Sequence, residues 1–149
     1  MHLSELLTPE RIVCNLSAQS KKRALENISE IIATGQPEIT PSEVFDCLLA
    51  RERLGGTGIG FGVAIPHGRL KNITQAIGAF VRLEHAIDFD SIDNQPVDLI
   101  FALLVPENST EEHLQILASI ASMFNEESAR TKLRQAENSA DISNIINSR

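Results

Sequence analysis

The chain has 149 residues, of which 42% are hydrophobic and 22% charged, with a net charge of −7 and a sequence pI near 5.0. That length suits a single domain over residues 1–149, able to bury most of its apolar surface without staples. The acidic balance and the absence of Trp and Tyr argue against a nucleic-acid partner, which needs cationic surface and, for single strands, aromatic platforms. No run is long and apolar enough for membrane insertion, and the N-terminus lacks the basic-then-apolar pattern of a secretion signal. Cys14 and Cys47 form no zinc or redox spacing. A cytoplasmic protein with two buried, reduced thiols is expected.

In chain order, Leu3 to Leu7 reads as a short helical turn stopped near Thr8-Pro9, and Arg11 to Leu16 as a strand. Ser20 caps a helix whose apolar stripe is Ala24, Leu25, Ile28, Ile31 and Ile32, with Gly35 at its C-terminal end. Thr40-Pro41-Ser42-Glu43 is a capping box with proline in the first turn. It opens a helix that buries Val44, Phe45, Leu48 and Leu49 and runs to about Arg53. A glycine-rich segment, Gly55 to Gly62, leads into a short strand, Val63 to Ile65, which Pro66 ends.

Ala76 to Leu83 and Val97 to Val105 read as strands. The second is apolar almost throughout, so it is expected at the centre of a sheet covered on both faces. Ser109-Thr110-Glu111-Glu112 forms another capping box, opening a helix with Leu114, Leu117, Ala118, Ala121 and Phe124 on its apolar stripe. Two final helices start at Asn125 and Ser139. This alternation predicts an α/β domain, a mixed β-sheet covered by helices on both faces.

The chemistry concentrates between Arg51 and Arg69. Gly55, Gly56, Gly58, Gly60 and Gly62 crowd this stretch, at a cost in backbone entropy that close approach to a phosphate would offset. Turns and a bulge account for the glycines equally well, and neither standard nucleotide motif is present. His67 follows an apolar strand and a proline and precedes a glycine, which places its ring at a strand end. A neutral imidazole there is a competent nucleophile toward phosphorus, whereas a lone histidine also serves as a structural residue.

His113 sits in a first helical turn on the face of Ile116, Leu117 and Ile120, where it can meet an anion or fill the core. A zinc site of His67, His113 and a cysteine lacks metal-type local spacing. His85 reads as a surface residue between strands. Arg51 and Arg53 flank the glycine segment and suit phosphate, or merely complement the helix C-terminus. Ile59 and Phe61 are the apolar residues expected to border the site as a partner surface.

Arg51-Glu52-Arg53-Leu54, Thr57-Gly58-Ile59-Gly60 and Gly62-Val63-Ala64-Ile65-Pro66-His67-Gly68 together resemble the signature of enzyme IIA proteins of the bacterial phosphotransferase system, fructose/mannitol-type class. The likeness covers nearly the whole chain. Leu3 to Leu7 and Ser20-Lys21-Lys22-Arg23-Ala24-Leu25-Glu26 resemble the nitrogen-regulatory branch, enzyme IIA-Ntr. The resemblance implies that His67 is the phosphoryl acceptor, Arg51 the phosphate-binding arginine and His113 the second histidine. It also implies that Thr57 and Gly58 help bind phosphate. Gly56 departs from the serine of many relatives.

The implied donor is an HPr/NPr-type phosphocarrier protein, charged from phosphoenolpyruvate through an enzyme I, with no cofactor and no metal. The implied role is regulation of target proteins such as a potassium transporter or a sensor kinase. A sugar-transport IIA passing phosphate to a separate IIB component, and a non-phosphorylated interaction module, are the alternatives.

Overall fold

The computed structural model describes residues 3–109 and 111–148, the side chain of Ser4 excepted. Two 3-10 turns (Leu3–Leu6 and Pro9–Arg11) precede β1 (Ile12–Leu16), α1 (Lys21–Ala33) and α2 (Pro41–Leu54). Then come β2 (Gly58–Gly60), β3 (Val63–Ala64), β4 (His67–Leu70), β5 (Ile77–Ile87) and β6 (Val97–Pro106), followed by α3 (Glu111–Asn125), α4 (Glu127–Gln135) and α5 (Ser139–Asn147).

β6 is the template of the sheet. The strand order is β1-β5-β6-β3-β2, with β4 also paired to β6. β3 and β4 run parallel to β6, β5 runs antiparallel to it, β1 is parallel to β5, and β2 is antiparallel to β3. The sheet is therefore mixed, as expected.

Alternation along β6 supplies both faces. Leu99, Phe101, Leu103 and Val105 pack with Leu3, Leu6 and residues of α3, α4 and α5. Ile100, Ala102 and Leu104 pack with Ala24, Leu25, Ile28, Ile32, Val44 and Leu48 of α1 and α2. Helices thus cover both sides, and the apolar run of β6 is buried because neither face meets water. Buried Arg82 in β5 donates to the carbonyls of Leu133, Arg134 and Ala136 at 2.9, 3.2 and 2.6 Å. Those are the free carbonyls at the C-terminal end of α4, the negative end of its dipole.

The capping signals of the first two helices are realised. Ser20 Oγ accepts from the Arg23 amide at 3.1 Å. The Thr40 hydroxyl accepts from the Glu43 amide, and Glu43 accepts from the Thr40 amide, both at 3.2 Å. Thr110 of the third capping signal lies outside the described residues, as does His2.

Several boundaries differ from expectation. Chain pairing does not stop at Pro66. Val63 pairs with Leu99 and His67 with Leu103, so the register continues unbroken across the proline. Pro66 lacks an N–H, but its carbonyl still accepts from the Leu103 amide at 2.9 Å, and the strand resumes as β4. β5 extends beyond Leu83 through His85 to Ile87, because Ile87 rejoins Val97 after an irregularity in the ladder. His85 is exposed as expected, but within a strand.

In α3 the buried face is His113, Ile116, Ile120, Met123 and Phe124, while Leu114 and Ala118 face solvent. Two stripes overlap at helical spacing there, and only packing against the sheet selects one. α4 starts at Glu127 with Glu126 as N-cap, after the expected Asn125. Ile31, Phe45 and Leu49 are half-buried, and Cys14 and Cys47 are free and half-buried rather than fully enclosed.

Strand alternation turns Gly68 toward α2, where a Cβ would collide with Cys47 Sγ. Gly68→Ala is expected to destabilise the fold by about 1–3 kcal/mol through overpacking. Cys47→Ala in the same chain should recover most of that loss. Urea denaturation of the single and double variants checks this, and an equal cost of Gly68→Ala in both backgrounds would exclude the contact as its cause.

Candidate functional site

The site begins at the end of α2. The Glu52 side chain turns inward and is buried. A carboxylate can sit there only with donors around it. Lys21 Nζ from α1 lies 3.1 Å from Glu52 Oε2, and the same ammonium stands 5.0 Å from the Phe89 ring centroid. The Thr57 amide donates to Glu52 Oε2 at 3.1 Å, and the Thr57 hydroxyl donates to Oε1.

From Thr57 the bonding passes to β3 and β4. The Thr57 carbonyl accepts from the Ile65 amide at 3.0 Å, and the Ile65 carbonyl lies 2.8 Å from His67 Nδ1. A carbonyl oxygen only accepts, so His67 carries its proton on Nδ1 and exposes the lone pair of Nε2. Four consecutive contacts therefore run from Lys21 to the imidazole of His67.

Burial holds the pKa of His67 below the ordinary histidine value. The bond to Ile65 opposes that shift, the positive charge of Arg51 adds to it, and the negative charge of Glu52 opposes it. His113 from the first turn of α3 faces His67 with ring centroids 5.6 Å apart at an interplanar angle of 67°. It is 7% exposed, and burial, with the charges of His67 and Arg69, lowers its pKa. Its Nδ1 accepts from Arg69 Nε at 3.4 Å. Among the described residues, its Nε2 is buried with no hydrogen-bond partner.

The structure brings together His67, His113 and Arg51. Arg51 lies one helical turn beyond Cys47, the residue packed on Gly68, and its Nη1 donates to the Gly55 carbonyl at 2.7 Å. That bond occupies one of several guanidinium donors. Arg53 is exposed. Thr57 is buried with its amide and hydroxyl both committed to Glu52. Gly58 is explained by close packing, since a Cβ there would overlap Ser91.

Ile59 and Phe61 are exposed, but Phe61 does not border His67. Phe61 occupies the turn between β2 and β3, where its carbonyl accepts from Arg134 and its ring carries the Arg130 guanidinium 4.2 Å from the centroid. Arg134 in turn pairs with Asp98. His67 pairs at Leu103, further along β6. At about 3.3 Å per residue the two levels are roughly 16 Å apart.

Two residues of the site were not singled out from the sequence. Arg69 is two residues beyond His67, and the period of a strand puts both on one face; that signal existed once residues 67–70 were known to form a strand. Glu52 gave none, because a glutamate between two arginines at a helix end reads as a solvated charge. Among the described residues no group of three or more His, Cys, Asp or Glu side chains is gathered as a metal site, and no helix is long and apolar enough to cross a membrane.

The family model described as "Phosphoenolpyruvate-dependent sugar phosphotransferase system, EIIA 2" matches residues 5–149. The chain is 44% identical over 146 residues to the nitrogen regulatory protein of Pseudomonas aeruginosa, covering 98% of this chain and 95% of that one. It is 47% identical over 147 residues to the nitrogen regulatory protein of Escherichia coli, covering 98% and 90%. Among solved structures, nitrogen regulatory protein IIA-Ntr from Neisseria meningitidis matches with a TM-score of 0.91 at 41% identity, covering 97% and 98%. Mannitol IIA from Escherichia coli matches with a TM-score of 0.79 at 22% identity, covering 94% and 98%, a likeness of fold alone.

Because burial disfavours their charged forms, His67 and His113 are both expected to titrate below the free-histidine value near 6.5 and to be neutral at pH 7. An unfolded chain would then take up these protons at higher pH than the native one. The stabilising contribution is complete above the unfolded value and is lost as pH falls from there toward the native midpoints. An NMR titration of the ring protons measures those midpoints, and a value at or above 6.5 for His67 would contradict the burial argument.

Proposed function

The chain belongs to the EIIA 2 family of the phosphoenolpyruvate-dependent sugar phosphotransferase system, in its nitrogen-regulatory branch, and from that premise we propose that it accepts a phosphoryl group on Nε2 of His67 from an HPr/NPr-type carrier and regulates target proteins through its phosphorylation state. The family is a phosphotransfer component. The observation that carries the residue assignment is the pair of rings. His67 has Nδ1 committed to the Ile65 carbonyl, and beside it stands a buried His113 whose Nε2 has no partner among the described residues. A buried polar atom left unbonded is costly, and a phosphoryl group on His67 brings acceptor oxygens to it.

The step is a transfer between two nitrogens. The lone pair of His67 Nε2 attacks phosphorus in line, the phosphorus–nitrogen bond of the donor breaks, and the donor imidazole leaves with that electron pair. The proton on His67 Nδ1 stays there throughout, donated to the Ile65 carbonyl, and that bond stabilises the positive charge that develops on the ring. The chain supplies position and field. Arg51 contributes a cation, and His113 a donor, where charge builds on the equatorial oxygens. Thr57 acts through Glu52 and the Ile65 amide as support for His67.

Exposed Leu54 and Leu114 lie on the two helices that carry Arg51 and His113. They offer apolar contact to a docking carrier or target at the edge of this site. A phosphoryl group adds up to about two negative charges there, so a target must supply a cation or be rejected. That difference is the proposed signal, applied to a nitrogen- or potassium-linked partner.

Incubation with enzyme I, an HPr-type carrier and labelled phosphoenolpyruvate should give one acid-labile, base-stable label per chain, and none on His67→Ala. Labelling of His67→Ala at the wild-type rate would remove the assignment. In the same assay Arg51→Ala is expected to slow transfer by roughly one to two decades, from the loss of a charged hydrogen bond of about 1.5–3 kcal/mol. Arg53→Ala should change little, and equal small effects from both would make Arg51 an ordinary surface charge.

A further inference from the structure

We propose that Arg69 is a positioning residue that fixes the tautomer of His113 and thereby keeps a proton on His113 Nε2 for the phosphoryl group. This rests on the phosphocarrier reading of His67. Arg69 follows His67 by two residues on β4, paired to Val105 as His67 is paired to Leu103. Strand alternation brings both side chains to the α3 face, while Gly68 between them meets Cys47 of α2.

The contact has a fixed polarity. Arg69 Nε carries a hydrogen and no lone pair, so the His113 Nδ1 that it meets at 3.4 Å must be the accepting nitrogen. A neutral imidazole has a single N–H, which then lies on Nε2. That is the atom that is buried without a partner among the described residues. In the other tautomer, Nε2 would present a lone pair to the phosphoryl oxygens and Nδ1 would present a hydrogen to the guanidinium, so both contacts would be repulsive. A protonated ring would keep the donor at Nε2 but set its second N–H against Arg69.

The guanidinium therefore converts a ring with two interchangeable nitrogens into a donor of one orientation before any phosphate arrives. The ligand recognised is a phosphoryl group carried on the His67 imidazole, beside a second ring whose centroid lies 5.6 Å from that of His67. Arg69 is exposed, so replacing it leaves the core untouched.

The test uses the full chain labelled with nitrogen-15 at histidine, unphosphorylated, at a pH above the titration of both rings. Long-range proton–nitrogen spectra of the wild type should show His113 protonated at Nε2. In Arg69→Ala the proton should spread over both nitrogens, and Arg69→Lys, which keeps a cationic donor, should move it back toward Nε2. Transfer from the phosphorylated carrier should fall about tenfold in turnover for Arg69→Ala, with a change in KM for the carrier of no more than about twofold.

An unchanged His113 tautomer in Arg69→Ala overturns the proposal, as does a changed tautomer with wild-type turnover. A wild-type chain that takes no phosphoryl group overturns the phosphocarrier reading and, with it, the use assigned to the contact. An unchanged tautomer in a chain that is phosphorylated normally overturns this proposal alone.

Discussion

The buried carboxylate of Glu52 is the interaction on which the site depends. A charge removed from water needs compensation, and here it comes from two other parts of the chain. Lys21 reaches it from the first turn of α1, and Thr57 gives it both an amide and a hydroxyl from the glycine segment. The end of α2, the start of α1 and the glycine loop thus become one rigid unit. Because the Thr57 carbonyl holds the Ile65 amide and the Ile65 carbonyl holds His67, that rigidity reaches the imidazole itself. The ring is fixed through Nδ1, and the nitrogen left for chemistry is decided by the backbone rather than by a neighbouring base.

β6 supplies the second constraint. β3 and β4 lie along it in one continuous register, so alternation divides their side chains between the two helical layers. Ala64 and Gly68 turn toward α1 and α2, while Ile65, His67 and Arg69 turn toward α3. The site forms where the two layers meet the same strand edge. α2 contributes Arg51, β4 contributes His67 and Arg69, and α3 contributes His113. Each comes from an element with its own buried face, which suits the proposed role of positioning a phosphoryl group without rearranging.

On the proposed reading, the regulatory signal is local for the same reason. The apolar layers packed on either side of β6 hold the elements that carry His67, Arg51 and His113, so the proposed signal needs no reordering of them. Charge added to the ring changes what can dock on its surface, where Leu54 and Leu114 are exposed. The turn with Phe61 stands apart, held by Arg130 and Arg134 of α4 and by Asp98 and Asp93. Its positive φ of 61° at Phe61 is stabilised by those contacts, which makes it a structural corner of the β2–β3 hairpin and not a border of the His67 site.

The sequence by itself determined the features that depend on neighbouring residues. The caps at Ser20 and Thr40, the stripes of α1 and α2 and the apolar run of β6 are local patterns, and each identified its element. It also paired His113 with the face of Ile116 and Ile120. Only the tertiary structure decided which of two overlapping stripes α3 buries, that the chain resumes as a strand after Pro66, and that Phe61 and His67 lie at different levels of the sheet. It alone revealed Glu52 as a buried anchor and Arg69 as the partner of His113. These outcomes turn on which surface arrives opposite a residue. A glutamate between two arginines carries no mark of the lysine a helix away that will compensate it, and a proline loses its donor without losing the carbonyl that keeps it in register.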